Sequence, residues 1–134
     1  MSKFYIGQKA SIIKSFTIEE LIFYCQRISH DNNPIHLLKK NAIENGFQNC
    51  IVPGPMISSL FGGLLGSKLP GNNTIYLGHE TKFIGPILVE EIIKAEIEIL
   101  HIRLDKPIIT FSTKVIKQNG EIAVDGTAVV KANV

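Results

Sequence analysis

The segment from Gly54 to about Lys68 is apolar around nearly its whole circumference, and no other stretch limits the fold as much. Gly54-Pro55 suits a helix start, because proline is tolerated in the first turn. Pro70-Gly71 marks its end. Met56, Ile57, Leu60, Phe61, Leu64 and Leu65 are large, whereas Ser58, Ser59, Gly62, Gly63 and Gly66 are small. A helix that is apolar on nearly every side is expected to be buried on nearly every side. Interior glycines cost about 1 kcal/mol each against alanine. Their presence suggests close approach of another backbone or of a ligand. The apolar run Met56 to Leu69, about 14 residues, is shorter than the roughly 20 a bilayer span needs, so it predicts a core helix and no membrane role.

Downstream of this helix the hydrophobic period changes. Residues 74–84, 90–104, 108–118 and 121–131 are strand-like. Ile93, Ala95, Ile97 and Ile99 alternate with Lys94, Glu96 and Glu98, a period of two. Asp105-Lys106-Pro107 predicts a turn, and Asn119-Gly120 between two runs predicts a hairpin. Upstream, residues 4–16 predict an opening strand with a turn at Gly7. Thr17 to Glu20 has the form of a capping box, which starts a helix over 18–28. The stretch His30 to Pro34 breaks that helix, since the residue before a proline disfavours helix. Residues 37–45 predict a second short helix ended by Gly46. The sum is an α+β domain, one antiparallel sheet with a buried helix across it.

A chain of 134 residues without linker, repeat or low-complexity segment fits one domain over 1–134. With 45% hydrophobic and 19% charged residues it is globular rather than disordered. The net charge of +2 comes from scattered lysines, so no basic stripe points to nucleic acid. Met1 to Lys14 has no apolar core of a signal peptide, so no secretory leader is expected. Cys25 and Cys50 belong to no Cys-x-x-Cys motif or histidine cluster. They are expected to be reduced, buried thiols of a cytoplasmic protein, with no metal site.

The candidate chemistry lies in Ser29-His30-Asp31-Asn32-Asn33-Pro34-Ile35-His36. A turn of this length can bring the Asp31 carboxylate and the His36 imidazole to one point. There they could hold a water and exchange protons near neutral pH, a role typically worth about 10²–10⁴-fold in rate. The competing assignment is structural: Asp31 caps Asn33 within a common turn sequence, and His36 is a satisfied buried histidine. Asn33 and Pro34 fit a scaffold, with proline fixing chain direction and asparagine bonding the loop backbone. Gly54 lets an oxygen approach its N–H at the positive end of a helix. It equally suits a simple glycine at a helix start.

The spacing Asp31-x-Asn33-Pro34-x-His36, then Ala42, then Ile51-Val52-x-Gly54, resembles the signature of the MaoC-like (R)-specific enoyl-CoA hydratases. Ser59-Leu60-Phe61-x-Gly63-Leu64-Leu65-Gly66, Leu69-Pro70-Gly71, Ile75-Tyr76-Leu77-Gly78, Asp105-Lys106-Pro107 and Ala128-Val129-Val130-Lys131 extend the likeness to the short, single-domain bacterial members. The resemblance implies a hot-dog fold, an antiparallel sheet wrapped around a long central helix. It implies a homodimer with sites at or near the subunit interface. It also implies that Asp31 and His36 activate water while the Gly54 N–H holds a thioester oxygen. The implied reaction is reversible syn hydration of a trans-2-enoyl thioester to the (R)-3-hydroxyacyl thioester. The substrate partner is an acyl-CoA, and CoA enters only as part of that substrate, with no other cofactor. Two positions depart from many members: Pro53 stands where histidine is common, and His30 where glycine or an acidic residue is common.

Ser58, Phe61, Gly62 and Leu65 share a helix face with Gly54 and are candidates for binding the acyl chain. A glycine at 62, where larger residues are frequent, would leave room for a longer chain. Three other readings compete. A dehydratase acting on acyl carrier protein thioesters would use the same pair in reverse. A hot-dog thioesterase would not need the Asp31–His36 pair. A non-catalytic acyl-CoA-binding sensor would ordinarily carry an additional helical module.

Overall fold

The alternating second half of the chain supplies four strands, and a strand near the start of the chain the fifth, of an antiparallel sheet in the order β1-β3-β4-β5-β2. Its strands are β1 (Lys9–Ser15), β2 (Ile75–Phe83), β3 (Ile92–Ile102), β4 (Ile108–Lys117) and β5 (Ile122–Lys131). The computed structural model describes residues 3–132, so the outermost residues of the domain expected over 1–134 lie outside the described residues. Ile93, Ala95, Ile97 and Ile99 of β3, with Ile109, Phe111 and Val115 of β4, are fully buried on one face. That face holds the long helix α4 (Gly54–Ser67), whose Met56, Ile57, Phe61, Leu64 and Leu65 join the same core. The architecture is the α+β hot-dog arrangement expected from the sequence. Asn119-Gly120 makes its hairpin with Gly120 at φ +90°.

The central helix departs from expectation in one respect. Its large side chains are buried, but Ser59, Gly63, Gly66 and Ser67 are exposed along the opposite side. Among the described residues a Cβ added at Gly63 or Gly66 would meet nothing within 4 Å, so none of their backbone outside the helix closes on those glycines. The cause is the sheet's reach, which covers one face of the helix and not its back.

Apart from β1 the first half is helical, with four changes from the expected boundaries. The capping box forms as expected: Glu20 N–H donates to Thr17 Oγ1 at 3.2 Å, and Thr17 N–H to Glu20 Oε1 at 2.9 Å. The Lys14 ammonium donates to Glu20 Oε2 at 2.6 Å, tying β1 to the helix start and holding the Glu20 carboxyl below its ordinary range. Helix α1 (Ile18–Phe23) then loosens into a π-helical segment, Tyr24–Ser29, rather than staying α-helical to Ile28. Pro34 does not merely end a helix; it opens the short α2 (Pro34–Leu37) at a first-turn position. Leu38 is extended, so α3 (Lys39–Glu44) is a separate turn of helix instead of part of one running 37–45. The opening strand begins at Lys9 rather than Phe4, because Gly7 turns the chain at φ +91°.

Candidate active site

The loop that ends the first helix is shaped by its own hydrogen bonds. His30 adopts the left-handed conformation, φ +56°, a region costly for most residues but visited more readily by histidine than by bulky or β-branched ones. Asp31 N–H returns to the Cys25 carbonyl at 3.0 Å and closes the helix. His30 therefore fills a backbone position that suits glycine, which gives its departure from the family habit a physical meaning. Asp31 Oδ1 accepts the Asn33 N–H at 2.9 Å, and Asn33 Oδ1 accepts the Ile35 N–H at 3.2 Å. Asp31 thus does cap Asn33, but with one oxygen only.

The second oxygen faces His36. Asp31 Oδ2 lies 3.4 Å from His36 Nε2. The other ring nitrogen, Nδ1, is 2.6 Å from the Ile51 carbonyl oxygen. A carbonyl only accepts, so Nδ1 carries the hydrogen, and in the neutral ring Nε2 is bare. Two acceptors then face each other across 3.4 Å. A water donating one hydrogen to each would satisfy both. The imidazole is mostly enclosed, with 12% of its side chain exposed, against 39% for Asp31.

The same strip of chain that fixes His36 leads to the helix start. Ile51 N–H donates to the Ile35 carbonyl at 3.1 Å, and Val52 N–H donates to the Ile87 carbonyl at 2.8 Å. Residues 50–52 are therefore clamped between the His36 loop and segment 87–89. Two residues on, Gly54 begins α4 with no side-chain cap from Pro53. First-turn N–H groups have no partner within a helix, so the Gly54 N–H is a free donor at the positive end of the dipole.

His36 and Gly54 open into one cleft of about 380 Å³, lined also by Ile57, Phe83, Ile84 and Pro86. The structure therefore ties His36 to both other predicted residues, to Asp31 by the 3.4 Å contact and to Gly54 by the shared cleft, while Asp31 itself is not among the cleft's lining residues. Asn33 and Pro34 sit in the loop and helix start that hold the pair. Ser58, Phe61, Gly62 and Leu65 are not among the residues lining this cleft. Phe61 and Leu65 are 1% exposed in the core, while Ser58 and Gly62 are half-buried.

Two participants left no signal in the residue order. The Ile51 carbonyl sets the histidine tautomer, and a backbone atom carries no sequence signature. Phe83 reaches the cleft from the last position of β2, far along the chain, and only sheet pairing places it there. Among the described residues no group of three or more His, Cys, Asp or Glu is arranged to hold a metal ion. Burial pushes both the Cys25 and Cys50 thiols up, away from the reactive thiolate form.

Comparisons with known proteins identify the family and the fold. Residues 5–121 match the family described as "MaoC like domain". The chain is 43% identical over 126 residues to the (R)-specific enoyl-CoA hydratase of Aeromonas caviae, covering 94% of this chain and 93% of that protein. It is 33% identical over 125 residues to the mitochondrial 3-hydroxyacyl-(acyl-carrier-protein) dehydratase FERN of Solanum lycopersicum, covering 92% and 74%. It superposes on the solved structure of the (R)-hydratase from A. caviae involved in PHA biosynthesis with a TM-score of 0.95 and 41% identity, over 99% of this chain and 100% of that one. A family match spanning residues 5–121 and 43% identity over nearly the whole of a member's length mean that this chain belongs to the MaoC-like domain family.

Proposed function

We propose that this chain is an (R)-specific enoyl-CoA hydratase, a hydro-lyase that adds water reversibly to trans-2-enoyl-CoA. The observation that carries the reading is the bare Nε2 of His36. It is held by the Ile51 carbonyl and faces Asp31 Oδ2 at 3.4 Å beside the cleft that the Gly54 N–H opens into. A water held by both acceptors is aligned for attack on C3. As the C3–O bond forms, the C2–C3 π electrons move toward the thioester oxygen, which the Gly54 N–H receives as an enolate. One water proton passes to the Asp31–His36 pair, and a proton from the pair goes to C2 on the same face, which is syn addition. The two groups act as a coupled unit, so neither is assigned as the sole base. A single preorganised oxyanion donor is typically worth about 10²–10³ in rate. Water and proton transfer account for the whole reaction, and CoA enters as part of the substrate.

A homodimer fits the two edges of the sheet. At the β1 edge, the Lys68 ammonium donates to the Ser11 carbonyl at 2.9 Å. Among the described residues the β2 edge has no such cover, and it exposes Ile75, Tyr76, Leu77, Phe83 and Ile84. An open apolar edge strand is a pairing surface. Light scattering is expected to give twice the chain mass, and a monomeric mass at micromolar concentration removes the dimer. Two unpaired, buried thiols suit a cytoplasmic location.

Of the helix face expected to take the acyl chain, only the half-buried Ser58 and Gly62 are open to it, and the chain is assigned to them; Phe61 and Leu65 are packed in the core. A Cβ at Gly62 would lie 3.9 Å from the Tyr76 ring, an ordinary contact, so a serine fits there but narrows the space. Gly62→Ser should lower activity on medium-chain relative to short-chain enoyl-CoA, and identical chain-length profiles would remove that assignment. A carrier-protein dehydratase is the second reading, carried by the similarity to the Solanum lycopersicum protein. The deciding measurement is loss of enoyl absorbance with crotonyl-CoA and with its carrier-protein equivalent, followed by chiral analysis of the product. The hydratase reading predicts faster loss with the CoA ester and an (R) product. An (S) product, or release of free thiol without hydration, rejects it.

A further inference from the structure

Gly54 has a neighbour that its proposed chemistry does not require. A Cβ built on Gly54 would lie 3.0 Å from Cζ of Phe83 and 3.1 Å from both Cε1 and Cε2. Near-equal distances to three adjacent ring atoms mean that the Cβ would press on the face of the ring at its outer end. All three are shorter than the roughly 3.5–4.0 Å of favourable carbon contact. The ring of Phe83 therefore occupies the space that any side chain at position 54 would need.

The backbone holds that ring in place from a distant part of the sheet. Phe83 is the last residue of β2 and pairs with the fully buried Val124 of β5. Immediately after it, the Ile84 and Gly85 N–H groups both donate to the Ala123 carbonyl, at 2.8 and 3.2 Å. This shared acceptor bends the chain off the sheet, and residues 84–87 then wall the cleft containing His36 and Gly54. Phe83 itself is 49% exposed, so its ring is not simply a core side chain that happens to touch the helix.

We propose that Phe83 is a positioning residue for the thioester, and that position 54 is glycine because the ring lies flat against it. This rests on the hydratase reading above and deepens it. With the ring on one side and His36 on the other, a thioester oxygen reaches the Gly54 N–H along a single path. The ring also keeps water off that side of the donor, and a hydrogen bond to a developing oxyanion strengthens when water is excluded. Substituting Gly54 by alanine then acts chiefly by displacing the ring, since alanine retains the N–H.

The test is a double-mutant cycle on crotonyl-CoA hydration with Gly54→Ala, Phe83→Leu and the pair, since leucine lacks the ring atoms that the added Cβ would strike. Phe83→Leu should lower kcat about tenfold with KM within about threefold, the signature of an interaction realised in the transition state. Gly54→Ala alone should lose at least about tenfold, and the double variant no more than about threefold beyond Phe83→Leu, because the two changes remove one contact. Phe83→Met repeats the cycle if the leucine variant folds poorly, with circular dichroism and thermal midpoints recorded for every protein. An unchanged kcat in a folded Phe83→Leu overturns the proposal. So does a double variant whose loss is the product of the single losses. Wild-type protein inactive toward crotonyl-CoA overturns the hydratase reading, and this proposal with it; the two failures are distinguished by the wild-type arm.

Discussion

Between Asp31 and His36 the chain makes its hydrogen bonds mostly to itself, whereas the start of α4 has no cap of its own and is held by groups far along the chain. In the loop, Asp31 accepts from Asn33 and Asn33 from Ile35. At the helix start, Val52 bonds to Ile87, and the ring of Phe83 lies on Gly54. The difference divides the work of the site. A locally built loop can carry groups whose loss costs rate and little stability. A donor placed by packing shares its position with the core, so disturbing it costs both. The one long-range tie of the loop, His36 Nδ1 to the Ile51 carbonyl, is the joint between the two halves.

The largest effect expected from this contrast is at the loop. Asp31→Asn and His36→Gln should each lower crotonyl-CoA hydration by about 10²–10⁴-fold. The Asp31→Asn midpoint should stay within a few degrees of wild type, on the scale of about 1 kcal/mol for an exposed hydrogen bond, whereas His36→Gln, which also disturbs the enclosed bond to the Ile51 carbonyl, should lose more. Near wild-type turnover in either variant would break the assignment of the pair.

The helix start should respond differently. Ile57 is buried in the first turns of α4 and lines the cleft. Ile57→Ala is expected to destabilise the fold by about 2–5 kcal/mol, read from the denaturation midpoint, together with a loss of rate. A rate loss at unchanged stability would show that this end of the helix is not held by packing, and the contrast would fail there.

Asn33→Ala is the smallest and sharpens the loop side. It removes the side-chain cap of α2 and is expected to cost about 1 kcal/mol. Because that cap is the hydrogen bond from the Ile35 N–H, next to His36, turnover should fall modestly, with the pH profile unchanged in shape. A stability loss on the scale of Ile57→Ala would mean that the loop leans on the core after all.

Much of this was legible from residue types alone. Period-two alternation announced β3, Thr17 and Glu20 announced the capping box, and the Asp31 to His36 spacing announced the pair. The boundaries failed where a single residue can serve two local structures. Pro34 both interrupts one helix and opens another, and Leu38 separates two turns that look continuous in sequence. The buried-on-every-side expectation for α4 failed because periodicity reports which residues are apolar or small, not how many faces a sheet of five strands can cover.

The order of residues by itself determined that a carboxylate and an imidazole would share a turn and that a glycine would start an apolar helix. These are short-range matters, settled by steric limits of the backbone and by hydrogen bonds a few residues long. Only the tertiary structure decided which nitrogen of His36 is bare, because that depends on a carbonyl fifteen residues away. Only it laid Phe83 against Gly54, because strand pairing and the bend after β2 bring together residues whose separation in sequence carries no signal of contact.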